Sequence, residues 1–234
     1  MPELSVVIPV YNSRDLIIPA VEELAVFCDG QGWEYEILLR DDGSSDGSTD
    51  VLRRLADQRS GVRCAYNEKN RGLGFTLRRL FEEARGRTVV YCDVDLPFGT
   101  AVLKDLVVLS KKHEMVVVSR YLAAGQGRVS FLRRTVSRMY FWLCRILFHV
   151  PVFDIGSGTV AMSREVLTRV PLRADGFDIH MEIINAFSAR RYSILEIPGP
   201  YCDKGPGTFS ILRHGPRVVV DTIRLWCNRH SRIP

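Results

Sequence analysis

Thr88-Val89-Val90-Tyr91-Cys92-Asp93-Val94-Asp95 sets a short run of strand-forming residues directly before two carboxylates one residue apart. The run is continuous and rich in β-branched and aromatic side chains, the pattern of a buried strand over Thr88–Cys92. On an extended chain alternate residues point the same way, so the spacing predicts that Asp93 and Asp95 face one site. Two hard oxygen ligands suit Mg²⁺ or Mn²⁺, which take their remaining ligands from water and substrate phosphates. A lone pair of this kind is more often a solvated turn, so the rest of the chain decides its meaning.

Working back toward the amino terminus, the same grammar repeats. Leu4–Val10 is a strand closed by Pro9 and Asn12-Ser13, and Asp15–Cys28 carries apolar residues at helical spacing. Tyr35–Leu39 is a second strand, ending on Asp41-Asp42-Gly43-Ser44, and Ser48–Ala56 resumes as a helix capped by Ser48 or Thr49. A third strand over Val62–Tyr66 and a helix over Gly74–Ala84 lead to the opening stretch. Alternation of strand and helix predicts an α/β fold with a mostly parallel central sheet flanked by helices. Ligands of such sheets gather at the carboxyl ends of the strands. Pro9-Val10-Tyr11-Asn12, Asp41-Asp42 and Asp93-Val94-Asp95 all fall there. Asp41 and Asp42 are suited to accept hydrogen bonds from a ribose or base, or else to turn the chain. Asn70-Arg71-Gly72-Leu73-Gly74 could bring backbone close to a phosphate or sugar.

Downstream the pattern loosens. Met115–Ser119 is a strand, Val129–Phe148 a basic, aromatic helix, Asp178–Ala189 a helix, and Ser193–Ile197 an edge strand before a Pro/Gly-rich loop. With 234 residues, no repeat and no low-complexity linker, one domain over 1–234 is expected. Its six cysteines are scattered without a CxxC pair, which points to buried reduced thiols. The start of the chain lacks the pattern of a signal peptide and no apolar run is long enough to span a bilayer, so a cytoplasmic location is expected. A net charge of +5 favours anionic partners, but acidic clusters at the strand ends argue against nucleic acid.

Four motifs together, Val7-Ile8-Pro9-Val10-Tyr11-Asn12, Asp41-Asp42-Gly43-Ser44, Gly72-Leu73-Gly74 and Asp93-Val94-Asp95-Leu96, resemble those of family 2 glycosyltransferases of the GT-A fold. Ser119-Arg120-Tyr121, Arg133 with Ser137, Asp154-Ile155-Gly156-Ser157-Gly158, and Gly176-Phe177 leading to Met181-Glu182-Ile183 narrow the resemblance to the dolichyl (polyprenyl) phosphate mannose synthase branch. The resemblance implies that Pro9, Tyr11, Asn12, Asp41, Asp42 and Val94 hold the nucleotide sugar. It implies that Asp93 and Asp95 hold the metal and diphosphate, and that Arg120, Arg133 and Ser137 hold the acceptor phosphate, Arg120 with a catalytic part. Residues 1–97 would form the nucleotide-sugar half and 98–234 the acceptor half. The chain departs from the branch in carrying Ser13 after Asn12 and Pro97 two places after Asp95. It also has Lys204 where an Arg is usual and Ile211 where a Lys follows Ser210, with Arg213 as the nearest replacement.

The implied reaction moves a hexose, mannose foremost, from a nucleotide diphosphate sugar to a dolichyl or polyprenyl phosphate with inversion; the motifs do not choose between GDP-mannose, UDP-glucose and related donors. A phosphate acceptor is already anionic near neutral pH and needs no strong general base. His180 and Glu182 are thus read as structural ahead of basic. Residues 129–150 interleave arginines with Phe131, Met139, Trp142, Ile146 and Phe148, a composition suited to the surface of an anionic membrane. The expected state is peripheral at the cytoplasmic face, alone or beside a membrane subunit. Two other readings remain: a soluble family 2 enzyme acting on a sugar hydroxyl, and a non-catalytic nucleotide-sugar-binding protein.

Overall fold

β1 (Leu4–Val10), the first strand in the chain, lies at the heart of the sheet and is buried almost end to end. Its alternate residues feed two separate cores. Leu4, Val6, Ile8 and Val10 pack with Ile17, Val21 and Leu24 of α1 (Arg14–Gln31), with Leu52 of α2 (Ser48–Gln58) and with Leu106 of α4 (Val102–Leu109). Val7 faces the opposite way, toward Leu77 and Leu80 of α3 (Leu73–Glu83) and Phe187 of α7 (Ile179–Ser188). A strand apolar on both faces requires helices on both faces, which makes a three-layer sandwich. The computed structural model describes residues 1–122, 131–202 and 211–227, giving backbone alone at 131–133 and 211–214.

The described strands form one seven-stranded sheet in the order β3-β2-β1-β4-β6-β5-β7. Here β2 is Tyr35–Asp41, β3 Val62–Tyr66, β4 Thr88–Cys92, β5 Met115–Ser119, β6 Thr159–Ser163 and β7 Ile194–Pro198. All pairings are parallel except those of β6, which runs antiparallel to both β4 and β5. The chain winds outward from β1 through β2 to β3 and then returns to place β4 on the other side of β1. The crevice beyond the carboxyl ends of β1 and β4 is therefore a topological switch point, where open α/β sheets bind ligands.

The remaining helices are α5 (Phe131–Phe148), α6 (Arg164–Leu167) and α8 (Ile211–Cys227). Phe141, Cys144 and Phe148 bury one face of α5 in the second core, while Met139, Trp142 and Ile146 stand exposed on another. The strands over Leu4–Val10, Val62–Tyr66, Thr88–Cys92 and Met115–Ser119 have the bounds expected from sequence. α2 starts on Gly47 in the left-handed region instead of on a Ser or Thr cap. Helices α4, α6 and α8 and strand β6 were not anticipated. α8 carries Gly215-Pro216 within it and continues through. The cysteines are free, but only Cys28, Cys92 and Cys144 are buried, whereas Cys202 and Cys227 are exposed.

Candidate active site

The loops after β1 and β2 are tied to each other by side-chain bonds. Asn12 adopts the left-handed conformation at φ 48°, which asparagine tolerates better than most residues. From there its N–H donates to Ser44 Oγ (2.9 Å) and its Oδ1 accepts from the N–H of Ser45 (2.9 Å). Ser13 N–H donates to Ser48 Oγ (3.1 Å), and Arg14 N–H to Asp46 Oδ2 (2.9 Å). Burial alone would raise the Asp46 pKa, but bonds from Ser48 and from the Arg14 N–H outweigh it and hold the carboxyl below its usual value.

Asp41 and Asp42 turn out to have different tasks. The Asp41 carboxylate accepts from Ser44 Oγ and N–H at 2.5 and 3.1 Å and from Thr49 Oγ1 at 2.5 Å. It lines a cleft of about 380 Å³ with Ser44, Thr49, Arg53, Tyr66 and Asn67. Asp42 is turned onto the next loop, accepting from Asn67 Nδ2 (2.8 Å) and from the N–H groups of Arg71 (2.8 Å) and Gly72 (2.9 Å). Its oxygens thus hold the chain that leads into α3. The glycines there have a tertiary reason. A Cβ on Gly72 would meet Asp175 O at 2.3 Å, and one on Gly74 would meet Ala174 O at 2.2 Å. Backbone of residues 174–175 fills the space that a side chain at these glycines would need.

At the end of β4 the chain turns at once. Leu96 N–H bonds Asp93 O at 3.0 Å, with Val94 and Asp95 in the turn. The extended alternation expected to align Asp93 with Asp95 therefore stops at Asp93, and a turn carries Asp95. The pair that alternation does align is Tyr91 and Asp93, and Tyr91 Oη–H donates to Asp93 Oδ1 at 2.5 Å. Because β6 is antiparallel, with Cys92 opposite Thr159, the residue just before it, Gly158, lies against Asp93. A Cβ there would stand 2.1 Å from Asp93 Oδ2.

Among the described residues no group of three or more His, Cys, Asp or Glu side chains is placed to hold a metal. Two partly buried aspartates on a turn nevertheless fit Mg²⁺ or Mn²⁺, since these ions keep waters and complete their shell with substrate phosphates. Pro97, at the position expected to be polar, accepts the N–H of Cys202 through its carbonyl (2.8 Å). The segment after β7 thereby lies over the turn, with Tyr201 edge-on to Phe98 at 5.7 Å.

Arg120, expected at the acceptor phosphate, is 7% exposed and paired with Asp154, 1% exposed. Its Nε reaches Asp154 Oδ2 at 2.8 Å, while one terminal nitrogen bonds Asp154 Oδ1 (2.5 Å) and Gly156 O (2.6 Å). Burial works against the charge, but Asp154 overrides it and raises the guanidinium pKa further. These bonds tie Arg120 to the loop that leads into Gly158. Glu196 of β7 holds the same loop through the N–H groups of Phe153 (2.8 Å) and Asp154 (2.9 Å). Ser137 is partly buried on α5. Lys204, and the side chains of Arg133 and Arg213, lie outside the described residues.

His180 stacks on Tyr91 with ring centroids 5.7 Å apart and planes at 28°. Burial, and then the nearby Arg120 cation, lower its pKa to about 4, so it is neutral near pH 7. Glu182 accepts the N–H groups of Arg173 (2.8 Å) and Ala174 (2.7 Å), which makes it a clamp on the loop against Gly74. Tyr91, Asp154 and Glu196 were missed as partners of the site. The spacing of Tyr91 two residues before Asp93 was the one local signal available.

The sequence pattern of Glycosyl transferase family 2 matches residues 5–170, which run from β1 past β6. The chain is 28% identical over 234 residues to the glycosyltransferase AglD of Haloferax volcanii, covering 96% of this chain and 37% of that protein. It is 30% identical over 231 residues to the dolichol-phosphate mannosyltransferase of Pyrococcus furiosus, covering 93% and 64%. The chain thus spans between about a third and two thirds of these relatives' length. The glucosyl-3-phosphoglycerate synthase of Mycobacterium tuberculosis, solved with Mn²⁺, UDP and glucosyl-3-phosphoglycerate, superposes with a TM-score of 0.75 at 22% identity, covering 97% of this chain and 80% of that one. The mannosyl-3-phosphoglycerate synthase of Rubrobacter xylanophilus gives 0.72 at 18% identity, covering 100% and 76%. These structures share the fold, as the GT-A expectation required. With the family pattern covering all three strand-end loops and the Asp154–Gly158 loop, the chain belongs to glycosyl transferase family 2.

Proposed function

We propose that the chain transfers a hexose, mannose foremost, from a nucleoside diphosphate sugar to a dolichyl or polyprenyl phosphate, with inversion at the anomeric carbon. The observation that carries this reading is the meeting of three polar loops, after β1, β2 and β4, the latter two acidic, at one switch point. Pro9, Tyr11, Asn12, Asp41 and Val94 would receive the nucleotide, with Asp42 keeping the neighbouring loop in place. Asp93 and Asp95 would hold Mg²⁺ or Mn²⁺, and such a cation neutralises charge gathering on the departing diphosphate. Arg133, Ser137 and Arg213 would hold the acceptor phosphate, whose own oxygen is the nucleophile, and Lys204 would close on the diphosphate. Arg120 would serve by fixing Gly158 and, through it, Asp93. Residues 1–97 would act as the donor half and 98–234 as the acceptor half of one domain.

A lipid acceptor needs an enzyme that reaches the membrane surface. Among the described residues no helix is long and apolar enough to cross one. α5 offers exposed Met139, Trp142 and Ile146 flanked by exposed Arg134, Arg138 and Arg145, a surface suited to anionic lipid at the cytoplasmic face or to a membrane subunit. The relatives named for dolichol phosphate and for undecaprenyl phosphate support the acceptor class. The test is a donor panel of GDP-mannose, UDP-glucose and related sugars with Mg²⁺ or Mn²⁺ and a short polyprenyl phosphate. Lipid-linked sugar of inverted configuration is the expected product. Transfer to a free glycan alone would overturn the lipid acceptor, and binding without turnover on any acceptor would overturn the enzyme reading.

A further inference from the structure

Tyr91 sits on β4 with its ring in the second core and only 1% of its surface exposed. A buried phenol must spend its hydroxyl on a partner, and this one donates to Asp93 Oδ1 at 2.5 Å. The ring is itself held from one side by His180 in a stacked arrangement. The carboxylate is confined from another direction by Gly158, whose missing Cβ leaves the space that Asp93 Oδ2 occupies. Gly158 has little freedom to withdraw. It lies at φ 72°, and its carbonyl accepts Asp93 N–H (2.9 Å) and Thr159 Oγ1 (2.8 Å). Farther back the same loop is anchored by Arg120 through Asp154 and Gly156.

We propose that Tyr91 is a positioning residue for the cation, its hydroxyl and the bare Gly158 together holding the Asp93 carboxylate in the orientation a divalent ion requires. This rests on the assignment of Asp93 as a metal ligand. Partners of this kind, which orient a ligand without touching the metal, affect metal affinity by about 10- to 100-fold when removed. Tyr91→Phe keeps the ring, its packing and its stack on His180, and deletes only the hydroxyl.

The experiment measures Mn²⁺ affinity in the presence of UDP or GDP, by electron paramagnetic resonance of the free ion, for the wild type and Tyr91→Phe. The Mn²⁺ Kd is expected to rise by about 10-fold or more, with the metal concentration for half-maximal rate rising in parallel. At saturating Mn²⁺, kcat should fall by a smaller factor, a split that general loss of folding would not produce. Gly158→Ala, which crowds Oδ2 from the other side, provides a second variant if Tyr91→Phe fails to fold. It is expected to weaken Mn²⁺ comparably. Wild-type affinity in either folded variant overturns the positioning role and leaves the metal site standing. No Mn²⁺ binding by the wild type with either nucleotide overturns the metal assignment, and the positioning role with it.

Discussion

The two ends of the central sheet both bury carboxylates, but they satisfy them with different chemistry. At the amino end, Glu36 accepts from Ser5 Oγ (2.6 Å), from Arg85 N–H (2.7 Å) and from the Arg63 guanidinium (2.9 Å). At the carboxyl end, Asp41 and Asp42 accept from hydroxyls, an amide and backbone N–H groups, all neutral. A guanidinium cancels the charge it meets, whereas neutral donors orient a carboxylate and leave its charge in place. At one end the carboxylate charge is paired, and at the other the hydrogen-bond partners of Asp41 and Asp42 leave it uncancelled, an arrangement suited to a cation. Where ion pairs stand near the carboxyl end, Arg40 with Glu83 and Arg120 with Asp154, the cations meet carboxylates other than Asp41 and Asp42.

This contrast makes opposite demands on mutants of the two ends. The largest effect belongs to the carboxyl end. Asp95→Ala should lower kcat/KM by about 10³-fold if, as proposed, it holds a cation, which would be worth several kcal/mol to the transition state. Its urea midpoint should stay close to that of the wild type; a large drop in stability would make Asp95 structural and break the contrast.

Glu36→Ala should do the reverse, costing about 3 kcal/mol of stability in urea unfolding by stranding Ser5, Arg85 N–H and Arg63. Its kcat/KM per folded molecule should hold within about twofold.

The smallest effect is one of pH. His180, with its pKa lowered to about 4, is neutral in the fold, while in the unfolded chain it titrates near 6.5. Between those values the unfolded state binds more protons, so stability falls as pH falls through this window. From pH 7.5 to 5 the loss is about 2 kcal/mol, and His180→Phe should remove it. Equal acid sensitivity in variant and wild type would show that His180 is not held neutral.

The opening stretch explains both how much was legible and where legibility stopped. Thr88–Cys92 is apolar on both faces, and nothing but a central strand buries such a run, so its bounds were evident. β6, five residues long, has a turn signal only before it, at Gly156-Ser157-Gly158, and runs into α6 without one, so it was passed over. α8 was hidden by Gly215-Pro216, whose local preference against helix is overridden in the fold. In the site, the three polar loops were visible because strand ends announce themselves by composition. The division of labour between Asp41 and Asp42 was not, since adjacent carboxylates are chemically equivalent until neighbours are placed around them. Likewise Gly72 and Gly74 are recognisable as sites of close approach, but the approaching backbone, Ala174 and Asp175, lies about a hundred residues away.

What the sequence determined by itself was the strand–helix alternation and the placing of Asn12, Asp41 and Asp93 at strand ends, because both follow from local periodicity and from where apolar runs stop. Only the tertiary structure decided that Asp95 rides on a turn, that Tyr91 grips Asp93, and that Arg120 faces Asp154. The first depends on how the chain leaves the sheet. The second needs a core that hides a phenol, and the third an antiparallel strand that brings residues 154–158 beside β4 and β5, none of which residue order alone specifies.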